Sequence, residues 1–295
     1  MFLNGVEIED TFAEAFSMYA ARVTITAVSE QWARKAAAAA TGFATSVIGC
    51  GIEAGVEGPA SDTPDGRPGV DCLFFAPRRE DLEKHLLLRI GQAVMTAPTT
   101  ACFDGLSKEP NRVNVGGRLR FFGDGFQASK VIGGRRFWRI PVMEGEFLVD
   151  EEFGVVRGVG GGNFILMARS VETALEAAEA AVAALTPVRG VIAPFPGGIV
   201  RSGSKVGSRY KFLSASTNER LCPTLRGRVE LTLVPKEANA VLEIVLDGLS
   251  LEAVLEAMRL GITAACREGV VRITAGNYGG KLGKYQIRLR DVMEQ

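Results

Sequence analysis

The stretch NFILMARSVETALEAAEAAVAALTPVRGVIAPF, from Asn163 to Phe195, decides the fold class of this chain. It begins with a short apolar run typical of a strand, continues with apolar residues at helical spacing, and ends in a second apolar run bounded by proline and glycine. Beyond it, NAVLEIVLDG (239–248) predicts a strand, SLEAVLEAMRLGITAAC (250–266) a helix and VVRITAGN (270–277) a strand. This β-α-β-β-α-β order is that of a ferredoxin-like, or split βαβ, unit.

The first half of the chain has the same order of elements. A strand is predicted at VTITA (23–27), followed by a helix with Ser29 as its N-cap and Gly42 as its stop. The remaining predicted elements are strands at Ser46–Gly51 and Val70–Ala76, a helix at 79–95 and a further short apolar segment. An internal repeat of one supersecondary unit is therefore predicted.

The predicted architecture is an α+β protein of two ferredoxin-like lobes with loop insertions. We assign residues 1–144 to the N-terminal lobe and residues 145–295 to the C-terminal lobe, with a glycine-dense junction around 143–162. The alanine-rich helices permit close approach to the sheets and are interpreted as core. Because helices cover one face of each sheet, an apolar opposite face needs a partner, which predicts oligomerisation.

Composition excludes several classes of function. A chain of 295 residues with 47% hydrophobic content can bury a large core, and its formal net charge of zero gives no reason to expect nucleic acid or an anionic membrane as a partner. No apolar stretch reaches membrane-spanning length, and the first residues do not resemble a signal peptide. Five cysteines without a C-x-x-C pair argue against a disulfide framework and a structural zinc site, and fit a cytoplasmic protein.

Two glycine-rich segments are candidate binding loops. They are PFPGGIVRSGSKVG (194–207) and ITAGNYGGKLGKYQ (273–286), and each follows a strand-like run. Glycines there leave backbone N–H groups exposed beside cations, which suits an anionic or a flat heteroaromatic ligand. The alternative interpretation is a pair of long surface loops, since glycine and lysine are ordinary loop residues.

Glu243 is the candidate catalytic residue, because it is a charge inside the apolar strand NAVLEIVLDG. On such a strand Glu243 points to the face opposite Leu242 and Ile244. Burial would raise its pKa towards the working pH and let it act as a general acid and base. The alternative is a solvent-facing or salt-bridged glutamate.

Two other site types are disfavoured. The single histidine, His85, lies among charged residues of a predicted helix, which argues against a Ser-His-Asp triad and a histidine-rich metal site. GVGGGNF (158–164) lacks the final glycine of a dinucleotide-binding loop and precedes a strand instead of joining strand to helix.

Many segments, in order along essentially the whole chain, resemble one known family, the formylmethanofuran:tetrahydromethanopterin formyltransferases. Beside the two glycine-rich segments, they are EDTFAEAF (9–16), ATGF (40–43), TPDGRPG (63–69), FFGDGF (121–126), GGNF (161–164) and CPTL (222–225). The resemblance implies formyl transfer between N5 of tetrahydromethanopterin and the amine of a methanofuran-type carrier. Both coenzymes would act as substrates, without a metal or a prosthetic group.

The resemblance also implies a biological setting and partners. Arginine outnumbers lysine, which favours a bacterial member, of the type that is one subunit of a formyltransferase/hydrolase complex in methylotrophic formaldehyde oxidation. Expected partners are further copies of the chain, in a dimer or tetramer, other subunits of such a complex, or both. Two alternatives remain open: a non-catalytic pterin-binding or scaffolding subunit, and a formyltransferase for a folate-type pterin.

The site predictions follow from this chemistry. The strand VLEIVLDG matches the one that bears the family's glutamate beside the formyl group, which supports Glu243 as catalytic. Candidate substrate-binding residues fall into four groups. Candidate donors to an oxyanion are Ser202, Ser204 and Asn277, and candidate cations for substrate carboxylates are Lys205 and Lys281. Candidate aromatic contacts are Tyr278 and Phe195, and a second candidate carboxylate is Glu146.

Overall fold

The computed structural model describes residues 1–294. Its strands are β1 (Phe2–Leu3), β2 (Val6–Ile8), β3 (Phe12–Thr26), β4 (Glu53–Pro59), β5 (Gly69–Ala76), β6 (Ala101–Asp104), β7 (Arg112–Asn114), β8 (Ala128–Ile132), β9 (Arg135–Val142), β10 (Gly145–Asp150), β11 (Glu152–Gly154), β12 (Val156–Ala168), β13 (Val191–Ile192), β14 (Ser204–Val206), β15 (Ala215–Thr217), β16 (Ala240–Gly248), β17 (Val270–Thr274) and β18 (Tyr285–Arg288). Its α-helices are α1 (Glu30–Thr41), α2 (Val47–Cys50), α3 (Arg79–Arg89), α4 (Gly116–Leu119), α5 (Val171–Ala183), α6 (Leu251–Ala265) and α7 (Leu289–Glu294).

Within residues 1–294, no helix has both the length and the apolar character that crossing a membrane requires.

Both lobes have the strand order of a ferredoxin-like unit. In the N-terminal lobe the order is β4-β5-β3-β6, and each neighbouring pair is antiparallel. In the C-terminal lobe the order is β13-β16-β12-β17, again with antiparallel neighbours. The two halves therefore repeat one topology, which confirms the predicted fold class.

The helix boundaries follow from local sequence. The predicted N-cap Ser29 accepts a hydrogen bond from the N–H of Trp32, and Gly42 follows the last residue of α1. Ser170 and Ser250 cap α5 and α6 in the same way. The buried residues of α1 and α5 are all alanines, so these two helices are core elements, as predicted.

Two long strands, β3 and β12, run through both lobes. The first half of β3 pairs with β12 and β18, and its second half pairs with β5 and β6. Near the N-terminus, β2 pairs in parallel with β17, and its Val6 and Ile8 are buried in the C-terminal core. Phe147 and Phe153 are buried in the N-terminal core. The sheet is thus continuous across the lobes, and the division between residues 144 and 145 stays a prediction.

A buried carboxylate joins the lobes. Glu57 on β4 has no side-chain exposure and accepts two hydrogen bonds of 2.7 Å from the guanidinium of Arg22. It also accepts one of 2.6 Å from the N–H of Gly190, next to β13, and lies 3.3 Å from Arg189. Because the donors are held by different parts of the fold, this ion pair fixes β4 against the C-terminal lobe.

The C-terminal sheet is covered on both faces. Helices α5 and α6 pack on the face that contains Phe164 and Ile244. On the opposite face, Val234 and Ala238 of the insertion 199–239 pack against Ile165 and Met167 of β12. The apolar face from which oligomerisation was predicted is therefore covered in part by the chain itself.

The predicted strand Ser46–Gly51 is wrong. Residues Val47–Cys50 form the short helix α2, in which the hydroxyl of Ser46 accepts from the N–H of Ile48 at 3.3 Å. Gly51 ends it in the left-handed region, at φ 74°. Valine and isoleucine favour a strand locally, but the serine cap and the left-handed glycine delimit a single helical turn. The strand begins two residues later, as β4.

Two other predicted elements are altered. The run GVIAPF (190–195) forms only the two-residue strand β13, because Pro194 lacks an N–H group for a longer ladder. The helix predicted at 79–95 is present, but its last residues, Ile90–Val94, form a π-helix.

Candidate active site

Glu243 lies in the middle of β16, opposite Ile165 of β12. On its other side, β16 pairs with the upstream glycine-rich segment. The N–H of Val200 donates to the carbonyl of Glu243 at 2.8 Å, and the N–H of Glu243 donates to the carbonyl of Val200 at 2.9 Å. This bridge fixes segment 194–207 beside the carboxylate.

The side chain of Glu243 lines a small pocket of about 40 Å³. Its walls come from β12, β16 and the insertion, and include Ile165, Val200, Ser202, Asn218 and Cys222. Burial raises the pKa of Glu243 to about 7, with no contribution from an ion pair or hydrogen bond within residues 1–294. The expected rise in pKa is thus confirmed, while the catalytic role stays a prediction.

We expect Glu243→Gln to stabilise the folded chain at neutral and alkaline pH. The pKa of Glu243 is 4.5 without burial and about 7 in the fold. As pH rises through this interval the unfolded state loses its proton first, so the folded state loses stability between these two values. Because Glu243 is half-buried, we expect the substitution to raise the free energy of unfolding by about 1–2 kcal/mol above pH 7 and by almost nothing at pH 5. Urea denaturation of both proteins at pH 5 and pH 8 measures this, and equal stabilities at pH 8 would contradict it.

The downstream glycine-rich segment is arranged around Glu14, not around an open anion site. The Glu14 carboxylate, on β3, is only 1% exposed. It accepts hydrogen bonds from the backbone N–H groups of Tyr278 (2.7 Å), Gly280 (2.8 Å), Leu282 (2.6 Å) and Gly283 (2.5 Å). The expectation that these N–H groups are free for a substrate anion is therefore wrong.

Hydrogen bonding, not burial, decides the ionisation of Glu14. Burial by itself raises the pKa of Glu14, but the four N–H donors outweigh it and the pKa lies below its ordinary value. Glu14 is consequently a carboxylate at neutral pH. Backbone N–H groups arranged in this way form a concave site that binds anions, and here the anion is the chain's own Glu14.

Tyr278 lies in the region of Glu243. Thr274 of β17 and Glu243 of β16 flank Ile165 on the same face of the sheet, and Tyr278 follows β17 by four residues. Burial raises the pKa of the Tyr278 phenol, with smaller contributions from the charges of Glu243 and Glu14. Its ring packs against Phe16 at a centroid distance of 6.2 Å.

The upstream candidates are only partly gathered at this pocket. Both serines are exposed; Ser202 lines the pocket, whereas Ser204, at the start of β14, does not. Lys205 forms an ion pair with Glu219 within the insertion. Ser202 is therefore the candidate donor closest to the Glu243 pocket.

The remaining downstream candidates differ in their freedom to bind. The side chain of Asn277 donates to the carbonyl of Phe12 at 3.1 Å, so it ties the loop to β3. Lys281 is exposed, and Phe195 is half-buried just before the turn Pro196–Gly198. Of these, Lys281 keeps a charged group accessible to a ligand.

Glu146 is not brought to the Glu243 pocket. It lies on β10, which pairs with β9 and β6, and its carboxylate pairs with Arg139 at 2.7 Å. Both side chains of this ion pair are about half-exposed. Glu146 is therefore a partly exposed acid in a surface ion pair.

Sequence reasoning missed two residues that shape the site, Glu14 and Asn163. The side chain of Asn163 accepts from the N–H of Gly276 at 2.6 Å and donates to the carbonyl of Gly161 at 3.0 Å. Glu14 carries the same signal as Glu243, since it is a lone acid in the apolar run FAEAF. For Asn163 the signal is weaker: a single amide at the start of an apolar strand.

The described residues contain no group of three or more His, Cys, Asp or Glu that could hold a metal ion. A larger cavity, of about 310 Å³, lies near the N-terminus and α7, where Arg290 and Glu294 form an exposed ion pair. The smaller pocket is the candidate site, because it contains the desolvated carboxylic acid.

These features define an α+β protein of two ferredoxin-like lobes, whose site provides a carboxylic acid suited to proton transfer near neutral pH. Comparison with known families identifies it further. The chain belongs to the formylmethanofuran-tetrahydromethanopterin formyltransferase family: the model of that family matches residues 1–142, and the model of its proximal lobe matches residues 145–292. The family resemblance found in the sequence is confirmed.

Relatives match the chain over nearly its whole length. It is 56% identical over 302 residues to the formylmethanofuran–tetrahydromethanopterin formyltransferase of Methylobacillus flagellatus, covering 99% of this chain and 100% of that relative. With the enzyme of the same name from Methanothermobacter thermautotrophicus, identity is 53% over 296 residues, with the same coverage.

Two solved structures are also similar. The formyltransferase from Methanosarcina barkeri aligns with a TM-score of 0.94 at 53% identity, covering 99% of this chain and 100% of that one. The formyltransferase/hydrolase complex from Methylorubrum extorquens, in complex with methylofuran, contains a chain that aligns with a TM-score of 0.97 at 48% identity. That alignment covers 100% of this chain and 99% of the other.

Proposed function

We propose that this protein is a formyltransferase that moves a formyl group between N5 of tetrahydromethanopterin and the amine of a methanofuran-type carrier. The observation that carries the proposal is Glu243, a desolvated carboxylic acid with a pKa of about 7 beside a glycine-rich segment. Relatives 52–56% identical to this chain over 99% of its length have this activity in their names. The two coenzymes serve as the two substrates.

Formyl transfer between two amines requires a proton to move from one nitrogen to the other. The attacking amine forms a C–N bond to the formyl carbon, and the carbonyl π electrons move to oxygen. In our proposal the Glu243 carboxylate takes the proton from the attacking nitrogen and then gives it to the departing nitrogen. The oxyanion re-forms the carbonyl as the second C–N bond breaks. A pKa near 7 suits Glu243 to both steps, because neither protonation state is strongly favoured.

Other residues of the chain have supporting roles in the proposal. Ser202 lines the same pocket and can donate a hydrogen bond to the oxyanion of the tetrahedral adduct. Tyr278, whose phenol pKa is raised in part by the charge of Glu243, can contact a substrate ring or donate its hydroxyl proton to a hydrogen bond. Exposed Lys281 can pair with a carboxylate of a substrate side chain, with only a modest contribution to affinity.

We expect kcat/KM to rise with pH to a plateau, with an inflection near pH 7. The carboxylate of Glu243 has to be ionised to accept the first proton, and its pKa is about 7. This rise of kcat/KM with pH should be absent in Glu243→Gln, whose amide does not titrate. Steady-state kinetics from below to above pH 7 measures both profiles, and an unchanged rise in the variant would assign the titration to another group.

The direct test of the function uses the purified chain. It is mixed with formyl-tetrahydromethanopterin and a methanofuran analogue, and formyl transfer is followed spectrophotometrically. Transfer that depends on both substrates supports the proposal. Pterin binding without transfer, which persists when candidate partner subunits are added, would contradict it and favour a non-catalytic subunit.

We also propose that the chain works in an assembly with other subunits or further copies of itself. Its 48% identity to a chain of the Methylorubrum extorquens formyltransferase/hydrolase complex supports this. So does the β14–β15 hairpin, where Val206 (61%), Tyr210 (64%) and Phe212 (82%) are largely exposed. Purification from the native cell with light scattering tests it, and a lone monomer with full activity would contradict it.

A further inference from the structure

The Glu14 carboxylate is compensated in an unusual way. It is almost fully buried, yet among residues 1–294 no lysine or arginine lies within ion-pair distance of it. Its four partners are all backbone N–H groups of one loop, at 2.5–2.8 Å. Gly280, one of these donors, and its neighbour Gly279 adopt the left-handed region, at φ 72° and 73°. The loop 276–283 is thus folded around the charge of a single side chain.

The same strand holds both the backbone and the ring of Tyr278. Glu14 and Phe16 are two residues apart on β3, so their side chains leave the same face of the strand. Glu14 accepts from the N–H of Tyr278, and Phe16 packs against its ring. The main chain and the side chain of Tyr278 are therefore both fixed relative to β3.

The position of Tyr278 matters because of where the loop emerges. The loop leaves β17 just beyond Thr274, which lies on the same face as Glu243 across Ile165. Asn163 reinforces this start of the loop through its two-way contact with Gly276, at 2.6 and 3.2 Å. After Gly276, four backbone N–H groups of the loop are held by Glu14, and the side chain of Asn277 adds one tie to the carbonyl of Phe12 at 3.1 Å.

We propose that Glu14 is a positioning residue for catalysis: its carboxylate gathers the N–H groups of the loop 276–283 and thereby holds Tyr278 against Phe16, facing the Glu243 pocket. The inference rests on the proposed function, because it assigns Glu14 a part in formyl transfer. Glu14 itself touches no substrate. It acts through Tyr278, whose hydroxyl meets the reacting substrates beside Glu243.

A double-mutant cycle tests this route. We expect Glu14→Gln to lower kcat about 30-fold and Tyr278→Phe about tenfold, with KM changed less than about threefold in both. The double variant should be no slower than Glu14→Gln, because the tyrosine hydroxyl can no longer contribute once the loop is released. Glu7→Gln is the matched control, since Glu7 also lies on an N-terminal strand but forms a partly exposed ion pair with Arg272 at 2.8 Å. Its kcat should stay close to that of the parent chain.

Two kinetic outcomes would overturn the inference. One is a kcat for Glu14→Gln equal to that of the parent chain. The other is a double variant whose loss equals the product of the two single losses, which would mean that the residues act independently.

A measurement on the unaltered chain keeps the inference testable if Glu14→Gln does not fold. In amide hydrogen exchange, the four N–H groups that donate to Glu14 should be protected about a hundredfold or more over the N–H of exposed Lys281 in the same loop. Exchange of all five groups at similar rates would overturn the inference. This measurement uses no substrate, so it is distinct from a failure of the proposed function, which would appear as absent transfer by the parent chain.

Discussion

Glu243→Gln is expected to lower turnover by about a hundredfold while leaving the fold and substrate binding intact. The amide has the size of the acid and can still accept a hydrogen bond, but it cannot carry a proton from one nitrogen to the other. Among the residues that line its pocket of about 40 Å³, none other than Glu243 carries a carboxyl group that could replace it. The residual rate would come from alignment of the substrates and from oxyanion stabilisation.

The measurement is kcat for the parent chain, Glu243→Gln and a control at slightly alkaline pH, with pterin affinity determined separately. Glu237→Gln is the matched control, since Glu237 is an exposed glutamate of the insertion that borders the pocket. It should retain full activity. Turnover by Glu243→Gln equal to that of Glu237→Gln would remove Glu243 from the mechanism.

Glu57→Gln is expected to lower the free energy of unfolding by about 3 kcal/mol. Glu57 has no side-chain exposure, and its carboxylate accepts two hydrogen bonds from Arg22 and one from the N–H of Gly190. The amide keeps the volume but removes the charge, so the guanidinium of Arg22, 19% exposed, is left without its counter-ion. Truncating one partner of a buried pair costs more than the pair itself contributes.

Urea denaturation followed by circular dichroism measures this loss. Glu294→Gln provides the comparison, because Glu294 pairs with Arg290 at 2.7 Å where both side chains are more than half exposed. Such surface pairs contribute about 0.5 kcal/mol or less. A loss for Glu57→Gln as small as that for Glu294→Gln would show that the buried pair does not join the lobes energetically.

The elements that could be predicted from the sequence are those decided by local periodicity. Strand β16 and helix α6 were predicted almost residue by residue, because alternation in the first and helical spacing with the Ser250 cap in the second leave little choice. Helix α2 was mistaken for a strand, because a run as short as VIGC fits both elements and only the cap at Ser46 and the φ of Gly51 separate them. The local pattern was weakest where the elements are shortest.

What could not be predicted depends on residues far apart in the chain. Glu14 meets its donors across 264 to 269 positions, so nothing near Gly280 indicates that its N–H group is already bonded. The same holds for Lys205, whose ion pair with Glu219 depends on how the insertion folds back. Glu243 was found because a charge inside an apolar strand is a local signal, and Glu14 carries that signal too, much earlier in the printed sequence.

The pairing of β2 with β17 has a consequence for synthesis on the ribosome. Glu7 and Arg272, which are opposite each other in this pair, are separated by 265 positions. At translation rates of about 5–20 residues per second, β17 would be synthesised on the order of 13–53 s after β2. During that interval Val6 and Ile8 have no C-terminal core to enter. The C-terminal lobe is therefore complete only after β17 has been made, which makes Val6 and Ile8 candidate contacts for a chaperone until then.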